Sequence, residues 1–143
     1  MALTVPGITH DLPHLLTLVE RRMAGRLSAT LQAFDLTIEE YRILVLLADG
    51  AGHAMSEIAD YTLVPAPTLT KVVDRMVAST LVYRRPDAED RRRVLVFLAD
   101  RGRERHTAAA EAVAAGQAAF EAALGPEETA LLTVLLSRTA RLP

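Results

Sequence analysis

The residues of this 143-residue chain best suited to chemistry are its cations. Arg91, Arg92 and Arg93 stand in a row behind Asp87, Glu89 and Asp90, Arg84 and Arg85 are adjacent, and Lys71 and Arg75 lie four residues apart. The planar guanidinium fork matches phosphate oxygens and guanine edges, and a lysine ammonium serves as a point charge for the same acceptors. Residues 61–105 hold 10 basic and 6 acidic side chains, a balance of +4. The remainder holds 6 basic and 12 acidic ones, a balance of −6, so the formal charge of −2 hides a basic middle between acidic flanks. That is the pattern of a local polyanion-binding face. A solvated helix surface or loop carries similar charge without any ligand.

Other chemistries find little support. With no Cys there is no thiol nucleophile, disulfide, thiolate zinc site or cysteine redox switch. The chain has no Gly-x-Ser-x-Gly, no phosphate-cradling glycine loop and no His-Glu-x-x-His, so it reads as a non-enzyme with no cofactor. His10 and His14 have the i, i+4 spacing that places two imidazoles on one metal, but Pro13 intervenes and no third ligand is paired with them. An ordinary helix-end role is expected for both. His53 and His106 are isolated in sequence and expected to be structural.

The longest purely apolar run, 43–48, is far short of the roughly 20 residues that cross a bilayer. The opening Met-Ala-Leu-Thr-Val-Pro lacks the basic start and long apolar stretch of a secretory signal. A cytoplasmic protein with no membrane partner is the expectation, and 50% hydrophobic residues allow one compact domain with a core.

The elements that would hold the cations follow from periodicity. Leu12, Leu15, Leu16, Val19, Met23, Leu27 and Leu31 recur at three- and four-residue steps, which predicts an amphipathic helix over 11–33. Thr37 and Glu40 form a capping-box pair opening a second helix that ends near Asp49-Gly50. A short helix over 56–62 is broken at Leu63-Val64-Pro65, and another runs over 67–79 with Pro67 in its first turn. This last helix has Leu69, Val72, Val73, Met76 and Val77 on one side. Opposite lie Pro67, Lys71, Asp74, Arg75 and Ala78, with Thr68 and Thr70 at the margins.

Residues 81–98 then read as a hairpin with a charged tip, its return strand alternating at Val94, Val96 and Leu98. Helices over 100–124 and 126–141 complete the chain. In 108–123, 10 of 16 residues are Ala, so helix backbones there can pack closely, and Leu131, Leu132, Leu135 and Leu136 add an apolar face to the last helix.

Helix, tight turn, helix and basic hairpin is the order of a winged helix-turn-helix, which offers a helix to the major groove and a hairpin to a neighbouring minor groove. Ser56-Glu57-Ile58-Ala59, Thr68-Leu69-Thr70-Lys71-Val72-Val73-Asp74-Arg75-Met76, Leu81-Val82-Tyr83-Arg84 and Asp87-Ala88-Glu89-Asp90-Arg91-Arg92 resemble the multiple antibiotic resistance regulator (MarR) family. Two departures stand out. The family usually has Gly after the recognition helix, where this chain has Ser79-Thr80, and Thr opening the next helix, where Ala99 stands. Without Gly, the turn must be made by a residue less tolerant of a left-handed backbone.

The resemblance implies a mainly α fold, an α+β winged helix-turn-helix of six helices and a two- to three-stranded wing. A single domain over 1–143 would place the DNA-binding lobe at 36–99 and dimerisation helices at 9–35 and 100–143. It implies a homodimeric repressor on a pseudo-palindromic operator in duplex DNA, released by a small aromatic or anionic effector. Asp90 would hold an arginine by a bidentate pair, Arg92 would probe the minor groove, and Arg91 and Arg93 would touch backbone.

From the residues themselves, Lys71 and Arg75 can reach phosphates or guanine edges, and Thr68 and Thr70 phosphates or thymine methyls. Arg84 and Arg85 suit phosphate, or pairing with Asp87 or Glu89. Asp74 would orient Lys71 or Arg75, or accept from a cytosine amino group. Two other functions fit the same elements: a winged-helix module for acidic protein surfaces, and a ligand-binding helical bundle with no DNA role.

Overall fold

The computed structural model describes residues 11–143. His10 and the first residues of the chain lie outside the described part. Six helices and a small sheet run in the order α1 (Leu12–Gln32), α2 (Ile38–Leu47), β1 (His53–Ala54), α3 (Met55–Thr62), α4 (Ala66–Ala78), β2 (Val82–Pro86), β3 (Val94–Leu98), α5 (Asp100–Leu124) and α6 (Pro126–Thr139).

Local signals set several of these boundaries. Asp11 caps α1 by accepting from the His14 N–H at 3.3 Å, with Pro13 in the first turn. The expected capping box opens α2: Thr37 Oγ1 accepts from the Glu40 N–H at 3.1 Å, and a Glu40 oxygen accepts from the Thr37 N–H at 3.0 Å. Leu63 ends α3 in the left-handed region at φ 59°. Helix α4 starts between Pro65 and Pro67, which fixes φ and removes two N–H groups from its first turn.

The sheet has the order β1-β3-β2, all antiparallel. Arg84 faces Val96 across the hairpin, and His53 faces Val96 from the other side. The hairpin is as expected, but β1 is an addition. Two residues are too short to show alternation, so only the pairing with β3 defines them.

The core gathers around α2, α3, α4 and the sheet. Leu31, Ile43, Leu44, Leu47, Ile58, Val73, Met76 and Val96 have no exposed surface. Helix α5 touches this core through Gly102 and Ala109. A Cβ at Gly102 would collide with the carbonyl oxygen of Leu81, so only glycine lets α5 approach the strand entry this closely. None of the described helices is long and apolar enough to cross a membrane.

Candidate nucleic-acid interface

The outer face of α4 is set by what its inner face buries. Leu69, Val72, Val73 and Met76 are buried, so Ala66, Pro67, Thr70, Lys71, Asp74 and Ala78 are left exposed on the other side. The turn before the helix is also open, with Leu63 83% exposed. Thr70 Oγ1 donates to the Ala66 carbonyl at 3.1 Å, so its only O–H is used within the helix. Thr68 is exposed nearby.

Arg75 lies to one side of this face. It borders a cleft of about 380 Å³ shared with Gln32, Thr37, Glu40 and Arg105, which places it between α4, the start of α2 and α5. Lys71 and Arg75 make no ion pair with any described residue.

Asp74 pairs with neither Lys71 nor Arg75. It accepts from Arg84 of β2 at 2.6 Å. Arg84 thus pairs with the helix beside it and not with Asp87 or Glu89, because β2 runs along α4 while those carboxylates sit at the wing tip. Arg85 stacks over the Tyr83 ring at 5.0 Å, and Tyr83 stacks on Phe97 at 5.5 Å.

The wing tip is a turn closed by its own backbone. The Asp87 N–H donates to the Arg93 carbonyl at 2.8 Å, and the Arg93 N–H to the Asp90 carbonyl at 2.9 Å. Asp90 departs from its expected role. Its Oδ1 accepts from the Arg92 N–H at 3.0 Å and its carboxylate makes no ion pair among the described residues, since a side chain this short in a tight turn reaches the nearest backbone donor first. Asp87 does the same for the Glu89 N–H at 3.0 Å. Arg91 and Arg92 are exposed, and their guanidinium groups have no partner among the described residues.

Arg93 is held. Its guanidinium donates to Glu57 at the start of α3 at 2.6 Å and lies 4.0 Å from Asp87. The other oxygen of Glu57 is 3.0 Å from His53 Nδ1, and His53 Nε2 is 2.7 Å from Asp49. Two carboxylates at the two ring nitrogens require two N–H donors, which is the imidazolium.

Burial pushes the His53 pKa down, but the hydrogen bonds to Asp49 and Glu57 outweigh it and lift the pKa above its usual 6.5. The Ala51 N–H and then His53 hold Asp49 below its usual range, and His53 is the main cause of the lowered Glu57 pKa. His53 is therefore not isolated. It joins the end of α2 to α3, and Glu57 carries the link to the wing. The four-residue spacing of Asp49, His53 and Glu57 is a local signal for the first two links, but no local pattern announces the link to the wing, because Glu57 and Arg93 are 36 positions apart.

His106 on α5 stacks on Tyr41 of α2 with centroids 6.1 Å apart, and burial followed by the charge of Arg103 lowers its pKa. His14 is exposed at the start of α1. Among the described residues no group of three or more His, Asp or Glu side chains is arranged to hold a metal ion.

Comparison with known proteins places this lobe in context. The MarR family sequence model matches residues 34–93. The chain is 30% identical over 108 residues to the HTH-type transcriptional regulator FarR of Neisseria gonorrhoeae, covering 76% of this chain and 74% of that one. Its structure is similar to the transcriptional repressor CouR bound to a 23-mer DNA duplex, with a TM-score of 0.89, 23% identity, and coverage of 99% and 100%. It is similar also to NadR in complex with 4-hydroxyphenylacetate, with a TM-score of 0.80, 26% identity, and coverage of 94% and 96%.

Proposed function

The chain belongs to the MarR family of winged-helix transcription regulators, and from that premise we propose that it is a homodimeric repressor of a pseudo-palindromic operator. In this reading α4 enters the major groove with Pro67, Thr68, Thr70, Lys71 and Arg75. The wing crosses to the minor groove with Arg92 as its probe, and Arg91 binds the flanking backbone. The observation that carries the reading is the 2.6 Å pair between Arg84 and Asp74, which joins the base of the wing to the outer face of α4. Two DNA-reading elements held as one rigid unit lose little freedom on binding.

The pairings reduce the roles of three cations. Arg84 and Arg93 spend part of their charge inside the lobe, and Arg85 is tied to Tyr83, so they contribute to the field and less to direct phosphate contact. Asp90 acts by shaping the turn that presents Arg92.

The dimer is supported by apolar surface at the chain ends. Leu12, Leu15, Val19 and Met23 on α1 and Leu131, Val134, Leu135 and Leu136 on α6 are all exposed. Faces this apolar mark a protein contact, and pairing with a second copy places two α4 helices for half-sites about one helical turn apart. Release by a small anionic or aromatic effector is the finer part of the proposal, in line with the 4-hydroxyphenylacetate held by NadR. Such a ligand would act by favouring a dimer whose α4 spacing no longer fits the groove.

The test is binding to the duplex upstream of the protein's own coding region at several salt concentrations, for wild type and Arg92→Ala. Tight, sequence-dependent binding with a steep salt slope that Arg92→Ala flattens by about one unit is expected. Equal, weak binding to this duplex and to scrambled DNA counts against the reading.

A further inference from the structure

Resting on the DNA-binding reading above, we infer that α4 identifies its operator chiefly through thymine methyl groups, read by an apolar patch of Leu63, Ala66, Pro67 and the Thr70 methyl. Four observations lead there. Pro65 and Pro67 remove two of the N–H groups that the start of a helix would offer to a phosphate or base acceptor. The single O–H of Thr70 is donated to the Ala66 carbonyl, so the hydroxyl has no proton left for a phosphate and can act only as an acceptor, while its γ-methyl is free for apolar contact.

Asp74, the exposed carboxylate on this face, has one oxygen engaged by Arg84, which weakens it as an acceptor for cytosine or adenine. Leu63, in a left-handed turn directly before the helix, is 83% exposed and extends the apolar surface. The first turns of a recognition helix are the part that meets base edges, and the C5-methyl of thymine is the apolar feature of the major groove. Lys71, one turn along, supplies the point charge for a neighbouring guanine or phosphate.

The experiment starts with selection of preferred duplexes from a random pool by the full-length protein. Each thymine of a selected half-site is then replaced by uracil, which removes the methyl and leaves the pairing edge and minor groove unchanged. Because the methyl lies in the major groove, the measurement reports α4 and not the wing. A loss of about four-fold per contacted methyl is expected, the size of one buried methylene.

Thr70→Ser keeps the hydroxyl and its bond to Ala66, and Leu63→Ala changes an exposed side chain. Each should erase the uracil penalty at one position. Selected sites at which every uracil is neutral would overturn the inference and leave the regulator reading intact. Uracil penalties that neither substitution changes at any position also overturn it. Failure to enrich any sequence overturns both readings.

Discussion

The lobe around α4 and the helices at the chain ends are built to opposite rules. Nearly every buried apolar side chain lies between Leu31 and Leu98, where strands and short helices enclose one another. Helix α6 has no buried residue, α1 has only Leu31, and α5 only Gly102 and Ala109. The lobe thus completes its own core, and the end helices carry apolar side chains that this chain does not cover. The contrast teaches that the positioning of α4 and the wing within one chain, and the spacing between two chains, are separate structural problems with separate residues.

The most severe way to break that separation is to charge the uncovered face. Leu131→Glu with Leu135→Glu should yield a monomer by sedimentation, with the far-ultraviolet signature of the lobe retained. Operator affinity should fall by a hundred-fold or more, because two linked half-site contacts become independent. A double variant that still sediments as a dimer would place the interface elsewhere.

Next in size is the joint between the regions. Gly102→Ala drives a methyl into the Leu81 carbonyl, a backbone atom that cannot rotate away, and should lower stability by about 3 kcal/mol in urea denaturation. Gly116, on the same helix, has nothing within 4 Å of where a Cβ would stand. Gly116→Ala should therefore raise stability by about 1 kcal/mol from helix propensity alone. If it lowers stability and also weakens self-association, a second chain packs on that face.

The two regions also differed in how legible they were. Periodicity and caps marked α1, the α2 start, α5 and the hairpin to within a residue or two, since those signals are local. The structure ends α2 at Leu47 and α6 at Thr139, each about two residues earlier than composition suggested, where i→i+3 turn bonds replace the α-helical ones. The family resemblance located the wing, but not what holds it. Strand β1, the Arg84–Asp74 pair and the Glu57–Arg93 link join residues that only the packing of α3, α4 and the sheet brings together, whereas Asp49, His53 and Glu57 stand four residues apart in sequence. Asp90 illustrates the limit well. Its type suits either an ion pair or a turn, and backbone geometry decided for the turn.

The His53 chain makes the attachment of the wing sensitive to pH. His53 has a folded pKa above its usual 6.5, so its contribution to stability is full below about 6.5 and is lost as pH rises through the raised value. Asp49 and Glu57 are shifted down, so their contribution is present above their usual values of 3.8 and 4.5 and is lost as pH falls through the lowered ones. The network is therefore strongest between the carboxylate range and 6.5. Its partners are half exposed, which limits the effect to about 1 kcal/mol. Stability of wild type relative to His53→Gln should fall from about pH 6 to pH 8.5, and amide exchange in residues 87–93 should rise with it. Equal pH profiles for the two proteins would mean that His53 does not carry the link.

The smallest expected effect concerns the exit from α4. The Thr80 N–H bonds the Val77 carbonyl at 3.0 Å and the Leu81 N–H bonds the Met76 carbonyl at 2.9 Å, a Schellman closure that requires a left-handed residue at Thr80. Thr80 adopts it at φ 61°, although a β-branched side chain disfavours that region. Glycine removes the steric cost but adds freedom to the unfolded chain, so Thr80→Gly should stabilise by only about 0.5 kcal/mol. Thr80→Ala keeps the left-handed penalty and should not. Because Leu81 is both the next residue in this closure and the carbonyl that packs on Gly102, any change in wing placement should appear as altered operator affinity at unchanged dimerisation. Unchanged affinity in Thr80→Gly, together with higher stability, would show that the family's usual glycine serves folding at this turn and not the aim of the wing.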